Sequence, residues 1–181
     1  MMRTKKTKIF SKEEFKISVS FIRVDDRMIH GQTCTRWALE YPCDGIVAVN
    51  DMAATSPVLK AAYKNASGKK TFIWTYADWK RKCQKVLHSQ TRYFLITKEP
   101  ILMSKILVDD KFDPGIREVI IGPCNDRPGT VKLGNNQSIT KEEAAALERI
   151  YKAGYEVIFA LLKEDAIGPW TKFRGRFGYT D

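Results

Sequence analysis

The chain has 181 residues, of which 44% are hydrophobic and 11% aromatic, and its formal net charge is +10 at pH 7. A chain of this length and composition can bury one sizeable core, which argues against intrinsic disorder and favours a single domain. No apolar stretch approaches the roughly 20 residues that span a bilayer, and no secretory signal follows the basic start, so we expect a cytoplasmic protein. The positive charge suits an anionic partner but does not identify it.

The first 16 residues carry much of this charge, with six Lys or Arg against two Glu. A charged stretch of this kind favours a solvated, flexible N-terminal extension over a specific binding arm. We therefore expect the folded domain to begin at residue 17.

From residue 17 onward, short apolar runs alternate with helical patterns. The first run, ISVSFIRV (17–24), places Ile17, Val19, Phe21 and, at its end, Arg23 on one face by period-two alternation, which predicts a strand. Further runs repeat the strand signal, and one of them, GIVAVN, is apolar almost throughout, as in strands buried on both faces of a parallel sheet. These runs are GIVAVN (45–50), TFIWT (71–75), RYFLIT (92–97), EVIIG (118–122) and YEVIFALL (155–162).

Helix-start signals stand between the strands. The clearest is Thr140 with Glu143 at capping-box spacing, in a helix that Gly154 is suited to end. The earlier starts are Ser56 with Pro57, Asp78, and Pro100. This alternation predicts an α/β fold, an open, mostly parallel doubly wound sheet with helices on both faces in a single domain. Residues 130–139 add a short edge strand or hairpin.

The ending GPWTKFRGRFGYTD departs from this pattern. Its glycines and aromatic residues alternate with Lys172, Arg174 and Arg176, a composition that could stack on RNA bases. We favour a basic aromatic tail over residues 165–181 that packs on its own domain or on a neighbouring subunit. The folded domain is then residues 17–164, and no nucleic-acid partner is expected.

The decapeptide RVDDRMIHGQ (23–32) follows the first strand and leads into a helical pattern, GQTCTRWALEY. In open parallel sheets, ligands bind outside the carboxyl ends of the strands, near the point where strand order reverses. His30 is therefore predicted just before a helix N-terminus, where unpaired backbone N–H groups attract an anion. Arg23, Arg27 and Arg36 can add guanidinium donors, which match phosphate well.

A histidine in this setting can attack phosphorus. The nearby arginines and the helix N-terminus favour the neutral imidazole, which has a free lone pair. Asp25 or Asp26 can hydrogen-bond the other ring nitrogen, fix the tautomer and stabilise the imidazolium that develops. These residues suffice for a phosphohistidine, and no Walker-type loop is present or needed if the phosphoryl group arrives on another protein.

Less reactive interpretations compete with this one. A histidine in a charged loop is often a solvated bystander, and His88 has the setting of a surface residue at a helix C-terminus. His30 and Cys34 could ligate a metal at i, i+4 spacing, but no second pair appears, so no metal site is predicted. The cysteines are widely scattered along the chain, and this spacing predicts free thiols that serve mostly as packing residues.

At this point the sequence resembles a known family. FIRVDDRMIHGQTCTRW closely resembles the signature of the enzyme IIB subunits of the mannose/fructose/sorbose family of the bacterial phosphoenolpyruvate-dependent sugar phosphotransferase system (PTS). That signature is usually R-I/V-D-D-R-L-I-H-G-Q-V followed by a tryptophan. Met28 and Thr33 replace the usual leucine and valine, which we interpret as packing changes. Pro123 and Cys124 stand where a glycine pair and a hydrophobic residue are common. The resemblance continues through VAVNDMAA, YFLIT and VIIGPCNDRPGTVKLGNNQSIT to about residue 163.

The resemblance implies a phosphocarrier, a protein-Nπ-phosphohistidine:sugar phosphotransferase that needs no ATP, metal or other cofactor. His30 would take a phosphoryl group from a phosphohistidine on a IIA partner and pass it to a sugar imported through the membrane components IIC and IID. By position in the motif, the other site residues are Arg23 and Arg27 for phosphate, Asp25 or Asp26 for ring orientation, and Gly31 and Gln32 for backbone donors.

Four further residues end neighbouring strands and are weaker candidates for lining the same edge. These are Asn50, Asp51, Thr97 and Gly122. In the family, strand one is flanked by strands four and five, which would bring Thr97 and Gly122 closer to His30 than Asp51.

The family often works as a dimer, so a homodimer is among the expected partners, and the protein would associate peripherally with the inner face of the plasma membrane. Three other hypotheses compete with the phosphocarrier. One is a binding or regulatory module that keeps the fold but passes no phosphate to sugar. Another is a basic nucleic-acid-binding protein. The third is a histidine phosphatase, whose R-H-G triplet is absent because Ile29 stands where the arginine would be.

Overall fold

The computed structural model describes residues 17–180, so the predicted extension over residues 1–16 lies outside the described residues. The strands are β1 (Val19–Val24), β2 (Gly45–Val49), β3 (Lys70–Trp74), β4 (Tyr93–Thr97), β5 (Glu118–Ile121), β6 (Val131–Gly134), β7 (Gln137–Ile139), β8 (Glu156–Ala160) and β9 (Ala166–Pro169). The helices are α1 (Gly31–Thr35), α2 (Trp37–Glu40), α3 (Asp51–Thr55), α4 (Pro57–Ser67), α5 (Tyr76–Leu87), α6 (Pro100–Ser104), α7 (Lys141–Lys152) and α8 (Trp170–Phe173).

A seven-stranded sheet in the order β3-β2-β4-β1-β5-β8-β9 forms the centre of the molecule. All of its paired strands are parallel except β9, which runs antiparallel to β8. The prediction of an open, mostly parallel sheet is confirmed. The chain leaves β1 toward β2 on one side and leaves β5 toward β8 on the other. The strand order therefore reverses between β1 and β5, and the carboxyl end of β1 lies at that point.

The sheet is covered on both faces by apolar residues. Val47 and Val49 of β2 belong to one core cluster, whereas Ile46 and Ala48 of the same strand belong to the other. Adjacent side chains of a strand point to opposite faces, so a strand that contributes to two cores is buried on both. This explains the almost continuous apolar run of GIVAVN and confirms the doubly wound arrangement.

Strand β1 differs from its prediction in which side chains share a face. Its pairing with β4 shifts register between Val19 and Phe21. As a result, Val19 packs in the same core cluster as Ile22 and Val24, while Phe21 packs in the other. The strand begins at Val19, and Ile17 is 48% exposed. Simple alternation fails here because a bulge inserts an extra residue into one side of the ladder.

Two of the predicted helix caps are confirmed, and a third is wrong. Ser56 caps α4 with Pro57 in its first turn, and Thr140 caps α7 with Glu143 in a capping box. Helix α5 begins earlier than predicted, because Thr75 is its N-cap and accepts from the backbone N–H of Asp78. Asp78 instead lies inside the first turn, where its carboxylate pairs with Lys82 at 3.2 Å.

The segment predicted as a C-terminal tail is continuous with the sheet. Strand β9 extends the sheet edge, and Trp170 and Phe173 of α8 are buried in one of the cores. The indole N–H of Trp170 donates to Oε2 of Glu148 (2.8 Å), and Arg174 forms a buried ion pair with the same carboxylate (2.6 Å). These two side chains are thus committed to the domain and are not available to stack on RNA bases.

The predicted hairpin is present as β6 and β7, which pair with each other outside the main sheet. All four cysteines are free thiols, and three of them are buried, namely Cys34, Cys43 and Cys124. Within residues 17–180, no helix has both the length and the apolar character required to cross a membrane.

Candidate active site

The loop between β1 and α1 is hydrogen-bonded to both neighbouring strands. The backbone N–H of Asp25 donates to the carbonyl of Thr97 at the end of β4, and that of Asp26 donates to the carbonyl of Pro123 just beyond β5, both at 3.0 Å. A tight turn follows, in which Met28 adopts a left-handed φ of 56°. A bulky residue holds this conformation only where its surroundings enforce it. The loop is therefore a well-defined support for the side chains it carries.

His30 is bonded to the protein through one ring nitrogen. Its Nε2 lies 3.0 Å from Oδ2 of Asp25 and 2.8 Å from Oγ1 of Thr33, whereas Nδ1 makes no hydrogen bond within residues 17–180. An ionised carboxylate can only accept, so we assign the ring proton to Nε2. Nδ1 then keeps its lone pair. The side chain is 20% exposed, which makes the ring accessible from outside the domain.

Asp25 is the acceptor at the centre of this site. Its fully buried carboxylate accepts from Nε of Arg23 (3.1 Å), from the backbone N–H of Arg27 (2.9 Å) and from His30. Burial alone would raise the pKa of this carboxyl, but the hydrogen bond from His30 and the charge of Arg23 outweigh burial and lower the pKa. Asp25 is therefore ionised and can stabilise positive charge on the ring. Of the two candidate aspartates, it is the one that contacts His30.

Arg23 has a different position from the one predicted. It was expected to contact phosphate, but its side chain is only 1% exposed. Its guanidinium donates to Asp25, to the carbonyl of Ala160 (3.1 Å) and to the carbonyl of Leu161 (3.2 Å), and it lies over the ring of Trp37. Committed to these partners, Arg23 holds Asp25 in place and does not face an anion at the surface.

Arg27 is the exposed cation of the loop. Its side chain is 49% exposed, and its Nε lies 3.8 Å from Oδ1 of Asp25. It also lines a cavity of about 410 Å³ together with Pro123, Asn136 and Leu161. A guanidinium in this position can turn toward an anion that approaches the loop, because its link to Asp25 is long and partly solvated.

Asp26 faces away from the ring. Its Oδ2 accepts from the backbone N–H of Asn125 at 2.9 Å, which ties the β1–α1 loop to the segment after β5. Burial raises the pKa of this carboxyl against the effect of that hydrogen bond. The side chain lines a second cavity, of about 540 Å³, with Lys98 and Arg127. Asp26 thus supports the loop but does not orient His30.

Gly31 and Gln32 occupy the first turn of α1, as the motif predicted, and His30 directly precedes that helix. The His30 carbonyl accepts from the backbone N–H of Cys34 (3.2 Å). The backbone N–H groups of this first turn therefore follow His30 directly, at a helix N-terminus where such groups can donate to a bound anion.

The four weaker candidates fall into two groups. Asn50 caps α3 by accepting from Ala53, and Asp51 accepts from the backbone N–H of Tyr76. Both line a separate cavity of about 250 Å³ that does not include His30. Thr97 ends β4 and Gly122 directly follows β5, the strands on either side of β1, and their backbones bond to Asp25 and Val24. They position the loop through its main chain.

Gly122 has a specific steric role. A Cβ at this position would lie less than 3.0 Å from three guanidinium atoms of Arg23. We expect Gly122→Ala to displace this guanidinium from its carbonyl partners and to lower the free energy of unfolding by about 1 to 3 kcal/mol through overpacking. Urea denaturation measures the change. Gly175→Ala is the matched control, because a Cβ there meets nothing within 4 Å. Equal stability of the two variants would contradict this role.

Thr33 is the site residue that sequence reasoning missed. We interpreted it as a packing change, yet its hydroxyl contacts His30. The signal that could have identified it is its spacing: on a helix that starts at Gly31, a residue three positions after His30 lies on the same side.

Comparisons with known proteins identify the family of the chain. The profile of the family described as PTS system sorbose subfamily IIB component matches residues 19–179. The chain is 24% identical over 156 residues to the PTS sorbose-specific EIIB component of Lacticaseibacillus casei, covering 81% of this chain and 89% of that protein. It is also 24% identical over 143 residues to the PTS mannose-specific EIIAB component of Escherichia coli K12, covering 77% of this chain. It spans only 43% of the length of that relative.

The fold has solved counterparts. The IIBSor domain of the sorbose permease from Klebsiella pneumoniae superposes with a TM-score of 0.74 at 22% identity, covering 87% of this chain and 96% of that one. The family match extends to residue 179, beyond residue 163 where the resemblance of the motifs ended, and so includes β9 and α8. Because the profile covers most of the sequence, the chain belongs to the sorbose subfamily of PTS IIB components.

Proposed function

We propose that this protein is a phosphocarrier that accepts a phosphoryl group on Nδ1 of His30 and donates it to a sugar. The observation that carries the proposal is the state of the ring: Nε2 is held by a buried, ionised Asp25, and Nδ1 has no partner within residues 17–180. A ring held in this way presents a single nucleophilic nitrogen in a fixed direction. General phosphotransfer is the activity of PTS IIB components, and His30 is the residue here that is equipped for it.

The acceptance step needs no proton transfer on the protein. The Nδ1 lone pair forms a bond to phosphorus while the bond between phosphorus and the histidine nitrogen of the donor breaks, and its electron pair stays with the donor. The His30 ring becomes an imidazolium that carries the phosphoryl group on Nδ1 and the proton on Nε2. Asp25 stabilises this positive charge because it is ionised and 3.0 Å away.

The donation step is the reverse at the ring. The Nδ1–P bond breaks, its electron pair returns to Nδ1, and a sugar hydroxyl oxygen bonds to phosphorus and releases its proton to solvent water. Because Nε2 keeps its proton throughout, the leaving group is a neutral imidazole and not an imidazolate, which would leave far less readily. The hydrogen bond to Asp25 favours this outcome by keeping the proton on Nε2.

Charge around the transferred group comes from the loop and the helix. Arg27 is the exposed guanidinium next to Asp25, and the backbone N–H groups of Gly31 and Gln32 follow the reactive ring. Phosphoryl transfer relies on positioning and on positive charge near the equatorial oxygens. We assign these groups to phosphate and assign Arg23 to the support of Asp25.

The partners follow from the family. We propose that the donor is the phosphohistidine of a IIA domain and that the acceptor sugar reaches His30 through the membrane components IIC and IID. In this arrangement the protein works in the cytoplasm at the inner face of the plasma membrane. Relatives that match the chain are specific for mannose, sorbose and fructose, so a hexose is the substrate class to test first.

A transfer assay tests the proposal. Purified protein is incubated with a IIA domain phosphorylated with a radioactive phosphoryl group, and the label on the chain is followed. We expect a phosphoprotein that is labile in acid and stable in base, as phosphohistidine is. Nuclear magnetic resonance of the phosphorylated protein should place phosphorus on Nδ1.

Two results would contradict the proposal. One is the absence of label when several mannose-family IIA donors are tried against a IIB protein of known activity as positive control. The other is a base-labile label, which would indicate a phosphoserine or phosphothreonine.

A further inference from the structure

We propose that Thr33 is a second positioning residue for His30, which acts together with Asp25 to aim Nδ1. The inference rests on the proposed function for its consequence in phosphoryl transfer, but its structural basis is independent. Two acceptors surround a single ring nitrogen, with Oγ1 of Thr33 at 2.8 Å and Oδ2 of Asp25 at 3.0 Å from Nε2.

The hydroxyl of Thr33 is oriented to accept from the ring. With the ring proton assigned to Nε2, the Thr33 oxygen accepts from the ring, and its own proton can be donated to the carbonyl of Met28, 3.5 Å away. Thr33 is fully buried. Its hydroxyl is therefore held away from bulk solvent, within hydrogen-bond distance of the ring N–H of His30.

The two acceptors belong to different elements. Asp25 lies at the carboxyl end of β1, and Thr33 lies in α1. A ring with one acceptor can swing about that hydrogen bond, whereas a ring whose N–H is shared between two fixed acceptors has one preferred plane. A ring flipped about its Cβ–Cγ bond would present a carbon to both acceptors and lose both interactions. The pair therefore opposes swinging and flipping.

The orientation of the ring matters because transfer requires in-line approach. The attacking nitrogen must lie roughly 3 to 3.5 Å from phosphorus with its lone pair aligned, and a misplacement of about 1 Å can slow such a step about 100-fold. Thr33 takes no part in the bonds that form and break. It keeps the proton on Nε2 and the lone pair on Nδ1 directed outward in both the acceptance and donation steps.

Thr33→Val removes the hydroxyl and keeps the shape of the side chain. We expect both acceptance and donation to slow about fivefold, which corresponds to about 1 kcal/mol for one neutral hydrogen bond. Thr33→Ser, which restores the hydroxyl, should recover most of the rate. Thr71→Val is the matched control: Thr71 is also buried, but it bonds to Ser67 at the amino end of β3, at the opposite edge of the sheet.

A second readout does not depend on phosphorylation. Nitrogen-15 spectra of the His30 ring report which nitrogen carries the proton. We expect the neutral ring of the unmodified protein to be protonated on Nε2, and we expect the ratio of the Nε2–H to the Nδ1–H tautomer to fall about fivefold in Thr33→Val and to remain unchanged in Thr71→Val.

The outcomes separate the two proposals. If the wild-type protein accepts no phosphoryl group but Thr33→Val still shifts the tautomer ratio, the phosphocarrier function fails and the positioning role stands. If the protein is phosphorylated but Thr33→Val matches the wild type in rate and in tautomer ratio, Thr33 is a packing residue and the inference is overturned.

Discussion

His30→Gln should abolish phosphoryl transfer to this protein completely. Glutamine is a polar side chain of comparable reach, but its amide nitrogen has no lone pair available to attack phosphorus. Acid-labile label from a phosphorylated IIA domain should therefore fall to background, while the circular dichroism spectrum of the variant stays native. Asp25 and Thr33, which contact the ring, cannot replace it, because both are fully buried.

The other histidine supplies the control. His88 is the C-cap of α5, and its Nδ1 contacts the carbonyl of Gln84 on an exposed surface. His88→Gln should keep the full rate of transfer. Persistence of acid-labile label on His30→Gln, or its loss from His88→Gln, would place the reactive nitrogen elsewhere.

Asp25→Asn should slow transfer by about three orders of magnitude. Replacement of a buried carboxylate by an amide of the same shape has two consequences. It removes the charge that stabilises the imidazolium, and it offers an N–H where the ring requires an acceptor, which favours the wrong tautomer. The rate of label transfer from the IIA donor, compared at equal protein concentration, measures the loss.

Asp26→Asn is the matched control, since Asp26 is the neighbouring aspartate but bonds to Asn125 and not to the ring. Its effect on the rate should be smaller by at least tenfold. Equal losses in the two variants would show that the ring does not depend on Asp25 in particular.

Asp25→Asn should also lower the free energy of unfolding by about 3 kcal/mol, because Arg23 would remain buried without its counter-charge. The pH dependence has a defined sign. The folded protein lowers the pKa of Asp25, so this carboxylate stabilises the fold above its unfolded pKa of about 3.9. The stabilisation is lost as the pH falls through the lowered value. Urea denaturation at pH 7 and below pH 4 measures the difference in free energy of unfolding between wild type and variant. We expect this difference to be smaller in acid.

Much of the architecture and the location of the site could be predicted from the sequence. The spacing of apolar residues and the residues that cap helices are local properties of the sequence. The strands, the helices and the mostly parallel sheet follow from them. RVDDRMIHGQ lies between a strand and a helix, and that order alone places His30 at the carboxyl edge of the sheet.

The directions of individual side chains were not accessible in the same way. The buried guanidinium of Arg23 donates hydrogen bonds to the carbonyls of Ala160 and Leu161, which lie 137 and 138 positions away along the chain. The left-handed backbone of Met28 turns the loop so that Asp25 meets the ring and Asp26 meets Asn125. Alternation also failed in β1, because the bulge depends on its partner strand. Each case depends on residues that are distant in sequence.

The burial of Arg23 has a consequence for the response to ionic strength. Salt screens exposed charges over a Debye length of about 8 Å at physiological concentration but hardly affects pairs enclosed in the protein. The ion pair between Arg23 and Asp25 is enclosed, whereas Arg27 is not. We therefore expect added salt to weaken the encounter with the proposed phosphorylated partner while the geometry around the ring persists. In the proposed transfer, capture of the phosphoryl donor and alignment of the nucleophile depend on separate sets of charges.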